Sequence, residues 1–262
     1  MDGCEKKYRV GMLDSGVGGI SVLACAKRFL PQVDFVYYAD TDHVPYGTKP
    51  VSEIISYTDS AVRSLTEMGA DAVLIACNTA TSAAAHIMRE RYPLPIIGME
   101  PALKPAAELY PDGKILVCAT NATIHGSKLR ALIKTTGAHP DLAVTGELVE
   151  FAENGVFDSE TVAEYLTGKI PDCEKYDAVV LGCTHFTYFR DAFSFAFPKA
   201  EIIDGNCGAV RRLASLLGLE MSEKSVESAP TEYLISGRAA DEEEKRRLIS
   251  YEERMTEYYG RE

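Results

Sequence analysis

DAVLIACNTATS at residues 71–82 and DAVVLGCTHFTY at residues 177–188 align without a gap. Each opens on an acidic residue, runs through four or five apolar ones to a cysteine, and continues into small polar residues. That is the pattern of a buried parallel strand feeding the start of a helix. Cys77 and Cys183 hold the same place in the two copies, 106 positions apart. At the same offset RVGMLDSG (9–16) faces ILVCATNA (115–122), pairing Asp14 with Thr120. Buried strands resemble one another through packing alone, but packing does not require a cysteine at the same strand end. An internal duplication is the economical reading: two similar α/β halves related by a pseudo-twofold.

The rest of the chain follows the same grammar. Strands are expected at 8–13, 34–39, 72–76 and 94–98, with helices at 20–30, 52–68 and 79–91 between them. The second half repeats this with strands near 114–118, 142–145, 178–181 and 201–203, and a charged helix begins at about 241. Near-continuous apolar strands alternating with helices give an α/β fold of two doubly wound parallel-sheet domains, with the site in the cleft between them.

Composition agrees. Of 262 residues 46% are apolar, 25% charged and 9% aromatic, which is globular and leaves out disordered and fibrous classes. The net charge of −12 argues against nucleic acid and anionic membrane as partners, yet allows a local pocket for a small anion. The opening MDGCEKKYRV lacks the apolar run of a signal peptide, and no stretch approaches the ~20 apolar residues of a membrane span. Seven cysteines, an odd number without a CxxC pair, fit neither a disulfide framework nor a zinc ribbon. A reduced, cytoplasmic protein is expected.

In open parallel sheets ligands sit beyond the carboxyl ends of the strands. Four segments fall there: Asp14-Ser15-Gly16, Cys77-Asn78-Thr79, Thr120 to Thr123, and Cys183-Thr184-His185. Asn and Thr at such positions ordinarily cap helices, and together with free backbone N–H groups they also receive a carboxylate. Asp14 reads either as an N-cap or as a carboxylate able to hold a substrate ammonium or a thiol's proton. Gly16-Val17-Gly18-Gly19 is no dinucleotide fingerprint, because Ser21 stands where the third glycine belongs. His185 follows Cys183 by two positions, but His43, His86, His125 and His139 form no cluster with it, so no metal is expected.

A buried cysteine is ordinarily a small inert apolar side chain, and that reading suffices for Cys4, Cys25, Cys118, Cys173 and Cys207. Cys77 and Cys183 differ, since each ends a strand at a helix N-terminus, a setting that lowers a thiol's pKa. Bringing a thiol from about 8.5 to near 7 is worth roughly 2 kcal/mol. Two equivalent thiols on opposite sides of one cleft suit removal of a proton from one face of a carbon and its return to the other. A single-cysteine hydrolase or isomerase and a non-catalytic amino-acid sensor are the rival readings.

At these residues the sequence resembles the glutamate racemases of the wider aspartate/glutamate racemase superfamily. The matching stretches are GMLDSGVGGISVL (11–23), YYADTDHVPYGTKP (37–50), ACNTATSAA (76–84) and LGCTHFTYF (181–189). IIGMEPALKPAA (96–107), ATNATIHGSKL (119–129) and ELVEFAENG (147–155) match more softly. The resemblance implies a cofactor-independent racemase with Cys77 and Cys183 as catalytic cysteines, Asp14 assisting the first, and His185 with Glu150 behind it assisting the second. It implies substrate binding by Asp14, Ser15, Tyr46, Gly47, Asn78, Thr79, Thr123, Thr184 and His185. It further implies a discontinuous first domain (1–97 plus 207–262) enclosing a second (98–206), a homodimer, and a supply of D-glutamate for peptidoglycan. Aspartate is the rival substrate. Two segments depart from the family pattern: AVTGE at 143–147, and Phe186-Thr187-Tyr188, where Tyr-Pro-Leu is usual.

Overall fold

The computed structural model of the protein describes residues 7–222 and 228–259; Cys4 lies outside them. In the first half, strands β1 (Arg9–Asp14), β2 (Asp34–Ala39), β3 (Ala72–Ile75) and β4 (Ile96–Gly98) alternate with helices α1 (Ile20–Phe29), α2 (Val51–Glu67) and α3 (Asn78–Arg91). After α4 (Leu103–Leu109) the second half brings β5 (Ile115–Ala119), α5 (Asn121–His125), α6 (Ser127–Thr136) and β6 (Asp141–Val144). It continues through α7 (Glu147–Glu153), α8 (Ser159–Lys169), β7 (Ala178–Leu181), α9 (Arg190–Ala196) and β8 (Glu201–Ile203). The chain then returns through α10 (Asn206–Leu217), β9 (Glu232–Ile235), β10 (Arg238–Ala239) and α11 (Glu242–Tyr259).

The strands form two sheets, ordered β10-β9-β2-β1-β3-β4 and β6-β5-β7-β8. The run β2-β1-β3-β4 and the whole second sheet share one topology, all parallel. The 106-residue offset carries β3 onto β7 residue for residue. Even the strand-end bonds repeat: Ala76 N donates to Leu13 O at 2.8 Å, and Gly182 N to Cys118 O at 2.7 Å. The duplication read in the sequence is therefore a duplication of fold, but β1 falls on β5 at an offset of 105, so Asp14 corresponds to Ala119 and not, as expected, to Thr120.

All four residues of β3 and all four of β7 are buried, as both faces of each sheet are covered. The β9–β10 hairpin is the departure from the expected plan. β9 extends the first sheet in parallel beside β2, and β10 turns back antiparallel at its edge. The turn needs Ser236 and Gly237 at positive φ. α10 and α11 pack against α1, so the end of the chain completes the first half.

Candidate active site

The two halves meet carboxyl end to carboxyl end, and the expected segments converge there. β1 delivers Asp14, fully buried at the strand's last position. One Asp14 oxygen accepts from Gly16 N at 3.0 Å; the other accepts from Thr184 Oγ1, across from the second half, at 3.1 Å. β3 delivers Cys77 as the N-cap of α3, its sulfur accepting from Ala80 N at 3.5 Å and lying 3.8 Å from Ser15 Oγ. Asn78 and Thr79 open that helix, both buried. β5 ends at Thr120, which caps the short α5 through Thr123 N. Thr79 lies 3.1 Å from Thr120 and 3.4 Å from Thr123, hydroxyl to hydroxyl, which joins the halves through one polar cluster.

β7 delivers Cys183, but not to an α-helix. A 3-10 turn over Thr184–Phe189 follows, and the sulfur caps nothing. It lies instead 3.6 Å from His185 Nδ1. His185 Nε2 in turn lies 2.8 Å from Glu153 Oε1. Glu153 also accepts from Val17 N at 2.9 Å and from the Arg247 guanidinium at 3.2 Å. The thiol, the imidazole and the carboxylate form one line across the second half.

Glu153 takes the place behind His185 that the family resemblance implied for Glu150. Both lie on α7 one turn apart, but Glu150 faces solvent and Glu153 is the last residue of the helix, turned under it toward His185. Three glutamates at 147, 150 and 153 share a spacing that periodicity cannot separate. The available signal was the helix stop, Asn154-Gly155, with Gly155 at positive φ.

The glycine run gains its meaning here. A Cβ on Gly16 would overlap the Glu153 carboxylate, and one on Gly18 would overlap His185 and Thr184. The run lets the backbone of the first half lie directly against the second half's polar side chains. Tyr37 and Tyr188 fix its course by donating to the carbonyls of Gly16 and Val17, both at 2.7 Å. Tyr46 is buried with its hydroxyl on Asp40, and Gly47 packs against Thr120. The loop 46–48 thus reaches the second half at α5. The departures at 186–188 are structural as well: Phe186 is wholly buried beside Phe193, and Tyr188 packs edge-on to Tyr251.

The electrostatics treat the two thiols differently. Burial pushes the Cys77 thiol well up, Asp14 and Cys183 add to this, and the Ala80 N–H and Ser15 only partly oppose it. The lowering expected of a helix N-terminus is outweighed there. Burial also raises Asp14, against His185, the Gly16 N–H and Thr184. His185 moves the other way to a buried base. Burial alone would lower it, but Cys183 and Glu153 hold it well above its ordinary value. Burial likewise works to raise Glu153, and His185, Val17 N–H and Arg247 together keep it low. The arrangement favours a cationic imidazole against an ionised Glu153 on the Cys183 side, and a thiol that keeps its proton at Cys77. Among the described residues no group of three His, Cys, Asp or Glu side chains is placed to hold a metal ion, and no helix is long and apolar enough to cross a membrane.

Two strand-end cysteines, one capping α3 and the other beside His185, thus face each other's half in a duplicated α/β frame, the frame of an amino-acid racemase. The chain belongs to the Asp/Glu/Hydantoin racemase family, whose pattern matches residues 21–213. It is 48% identical to a glutamate racemase of Halothermothrix orenii over 80% of this chain and 85% of that one. It is 44% identical to a glutamate racemase of Campylobacter concisus over 92% and 95%. Among solved structures, Escherichia coli glutamate racemase in complex with L-glutamate and the activator UDP-MurNAc-ala is 27% identical, with a TM-score of 0.81 over 95% of this chain and 96% of that one.

Proposed function

We propose that this racemase interconverts L- and D-glutamate by a two-base proton transfer between Cys77 and Cys183. The observation that carries the reading is the equivalent placement of the two sulfurs at the ends of β3 and β7, each beside a distinct proton partner. The substrate's α-carbon lies between them. One sulfur takes the α-proton from one face as the other delivers a proton to the opposite face, and the roles exchange with substrate handedness.

The α-hydrogen is a very weak acid, so the developing charge on the substrate carboxylate needs donors arranged in advance. The reading assigns this to Ser15, Asn78, Thr79, Thr123 and Thr184 and to the backbone N–H groups opening α3, with the loop at Tyr46 and Gly47 closing the site. Asp14 orients the ammonium group and exchanges a proton with Cys77. His185, held as a cation by Glu153, exchanges one with Cys183. Cys77 is the acid at rest, since burial and Asp14 keep its proton on. The step therefore uses Cys183 as the thiolate that takes the α-proton, with the His185 cation beside it. The reverse direction starts with the proton on Cys183 and the thiolate on Cys77. The reading calls on no cofactor or metal.

A division into 1–97 plus 207–262 and 98–206 is part of the same reading; sheet membership supports it to within a residue, β4 running to Gly98 and α10 beginning at Asn206. A cytoplasmic homodimer supplying D-glutamate for peptidoglycan is the setting that the resemblance to glutamate racemases suggests. The test is circular dichroism of L-glutamate and L-aspartate, each incubated with the purified protein. Decay of the glutamate signal to zero supports the reading. Decay with aspartate alone replaces the substrate, and decay with neither overturns the assignment.

A further inference from the structure

Cys25 and Cys207 are two cysteines that the reaction does not use. They come from α1 and α10, 182 positions apart, and their sulfurs lie 3.5 Å from each other. We infer that Cys25 and Cys207 form an oxidisable dithiol that closes to a disulfide on reaction with a hydroperoxide and thereby restrains racemisation.

The two sulfurs are unequal in access. Cys25 is wholly buried, whereas Cys207 is half-buried and lines a cavity of about 810 Å³ together with Gly205, Arg211 and Arg212. Cys207 is the second residue of α10, where the helix N-terminus favours a thiolate. The Asp204 carboxylate pairs with Arg190 at 3.1 Å, and the neighbouring Cys207, burial and Asp204 hold the Cys25 thiol well above its ordinary value. A peroxide therefore reaches Cys207 first. With hydrogen peroxide, the Cys207 sulfur attacks one oxygen, the O–O bond breaks, and the departing hydroxide takes up the thiol's proton and leaves as water, so that Cys207 becomes a sulfenic acid. The Cys25 sulfur then displaces that hydroxyl group, forming the S–S bond and releasing a second water. Two thiols are oxidised and one peroxide is reduced. The new S–S bond ties α10 covalently to α1.

The position of the pair connects it to the site. α10 begins where the chain returns from the second half, and Gly205 lies tightly against Met99 and Glu100, where the chain first crosses. Next to Cys207, the Asn206 amide donates to Ser21 Oγ at 3.3 Å and to the Tyr259 hydroxyl at 2.7 Å. Ser21 Oγ in turn donates to the Gly18 carbonyl at 2.8 Å and lies 3.2 Å from the Thr184 carbonyl. A covalent tie between α10 and α1 therefore restrains the crossing between the halves and, through Ser21, the segment that carries Thr184.

The test treats reduced protein with hydrogen peroxide, alkylates the remaining thiols and maps the peptides. The expected result is a Cys25–Cys207 linked peptide lighter by two hydrogens, absent in Cys207→Ser. In Cys25→Ser, dimedone should trap Cys207 as the sulfenic acid. Racemisation should fall by more than half and return with dithiothreitol, while Cys25→Ala/Cys207→Ala keeps its rate under the same treatment. Recovery of both cysteines as separate thiols while Cys77 or Cys183 is oxidised would overturn the inference. Equal loss of activity in wild type and the double variant would overturn it too. The peptide map of the half-buried Cys207→Ser variant keeps the test decisive if the double variant folds poorly.

Discussion

Glu153 binds His185 at 2.8 Å, and through it the end of helix α7 reaches the sulfur of Cys183. Replacing Glu153 by Gln keeps the shape and removes the charge that holds the imidazole protonated. Racemisation should fall on the order of 10²-fold, within the range for a disturbed acid–base pair. Glu150→Gln, one turn earlier on the exposed face, should leave the rate within error of wild type. Steady-state circular dichroism on both variants checks this, and the opposite ranking would return the role to Glu150.

The same pair sets a pH window for stability. His185 has a folded pKa well above its ordinary 6.5, so its contribution is complete below 6.5 and is lost as pH rises through the folded value. Glu153 has a folded pKa below its ordinary 4.5, so its contribution is complete above 4.5 and is lost as pH falls through the folded value. The pair stabilises most between those two ordinary values. Urea melts of wild type and Glu153→Gln across pH 4 to 9 should therefore differ most at about pH 5 to 6. A difference that does not vary with pH would contradict the ion pair.

Asp14 and Cys77 make a separate prediction. Burial and the Asp14 charge both push that thiol up, so Asp14→Asn should make Cys77 alkylate faster at a fixed pH. Racemisation should nonetheless slow, roughly 10²–10⁴-fold, because the proton partner is gone. Iodoacetamide labelling followed by peptide mapping separates the two effects. Slower labelling together with slower turnover would mean that Asp14 activates the thiol rather than holding its proton.

Two glycines should respond in opposite ways. Gly18→Ala places a methyl on His185 and Thr184 and should cost about 1–3 kcal/mol as overpacking. Gly168 in α8 has nothing within reach of an added Cβ, and Gly168→Ala should stabilise by about 0.5–1 kcal/mol through helix propensity. Chemical denaturation of the two variants measures both.

Most of the frame was legible because buried parallel strands carry their own signature. The strands at 34–39, 178–181 and 201–203 fall where the apolar runs place them, and the paired cysteines announced the repeat. The β9–β10 hairpin was not legible. Its strands are four and two residues long, and β10 is exposed at the sheet edge, so its sequence carries no apolar run. At the site, short-range patterns identified the strand-end residues, including the Asp14, Cys77, Thr123 and Thr184 groups. They missed Glu153, which is chosen by where α7 stops. They also missed the upward push on Cys77, since burial is a property of the assembled halves rather than of a helix N-terminus.

The central claim is that Cys77 and Cys183 act on one α-carbon from opposite sides. It is tested most directly by proton NMR of L-glutamate in D2O with wild type, Cys77→Ala and Cys183→Ala, each confirmed folded by far-ultraviolet circular dichroism. The account predicts loss of the α-proton signal with falling optical rotation in wild type, and no racemisation in either variant. Wild-type turnover in one of the single-cysteine variants would contradict the two-base mechanism.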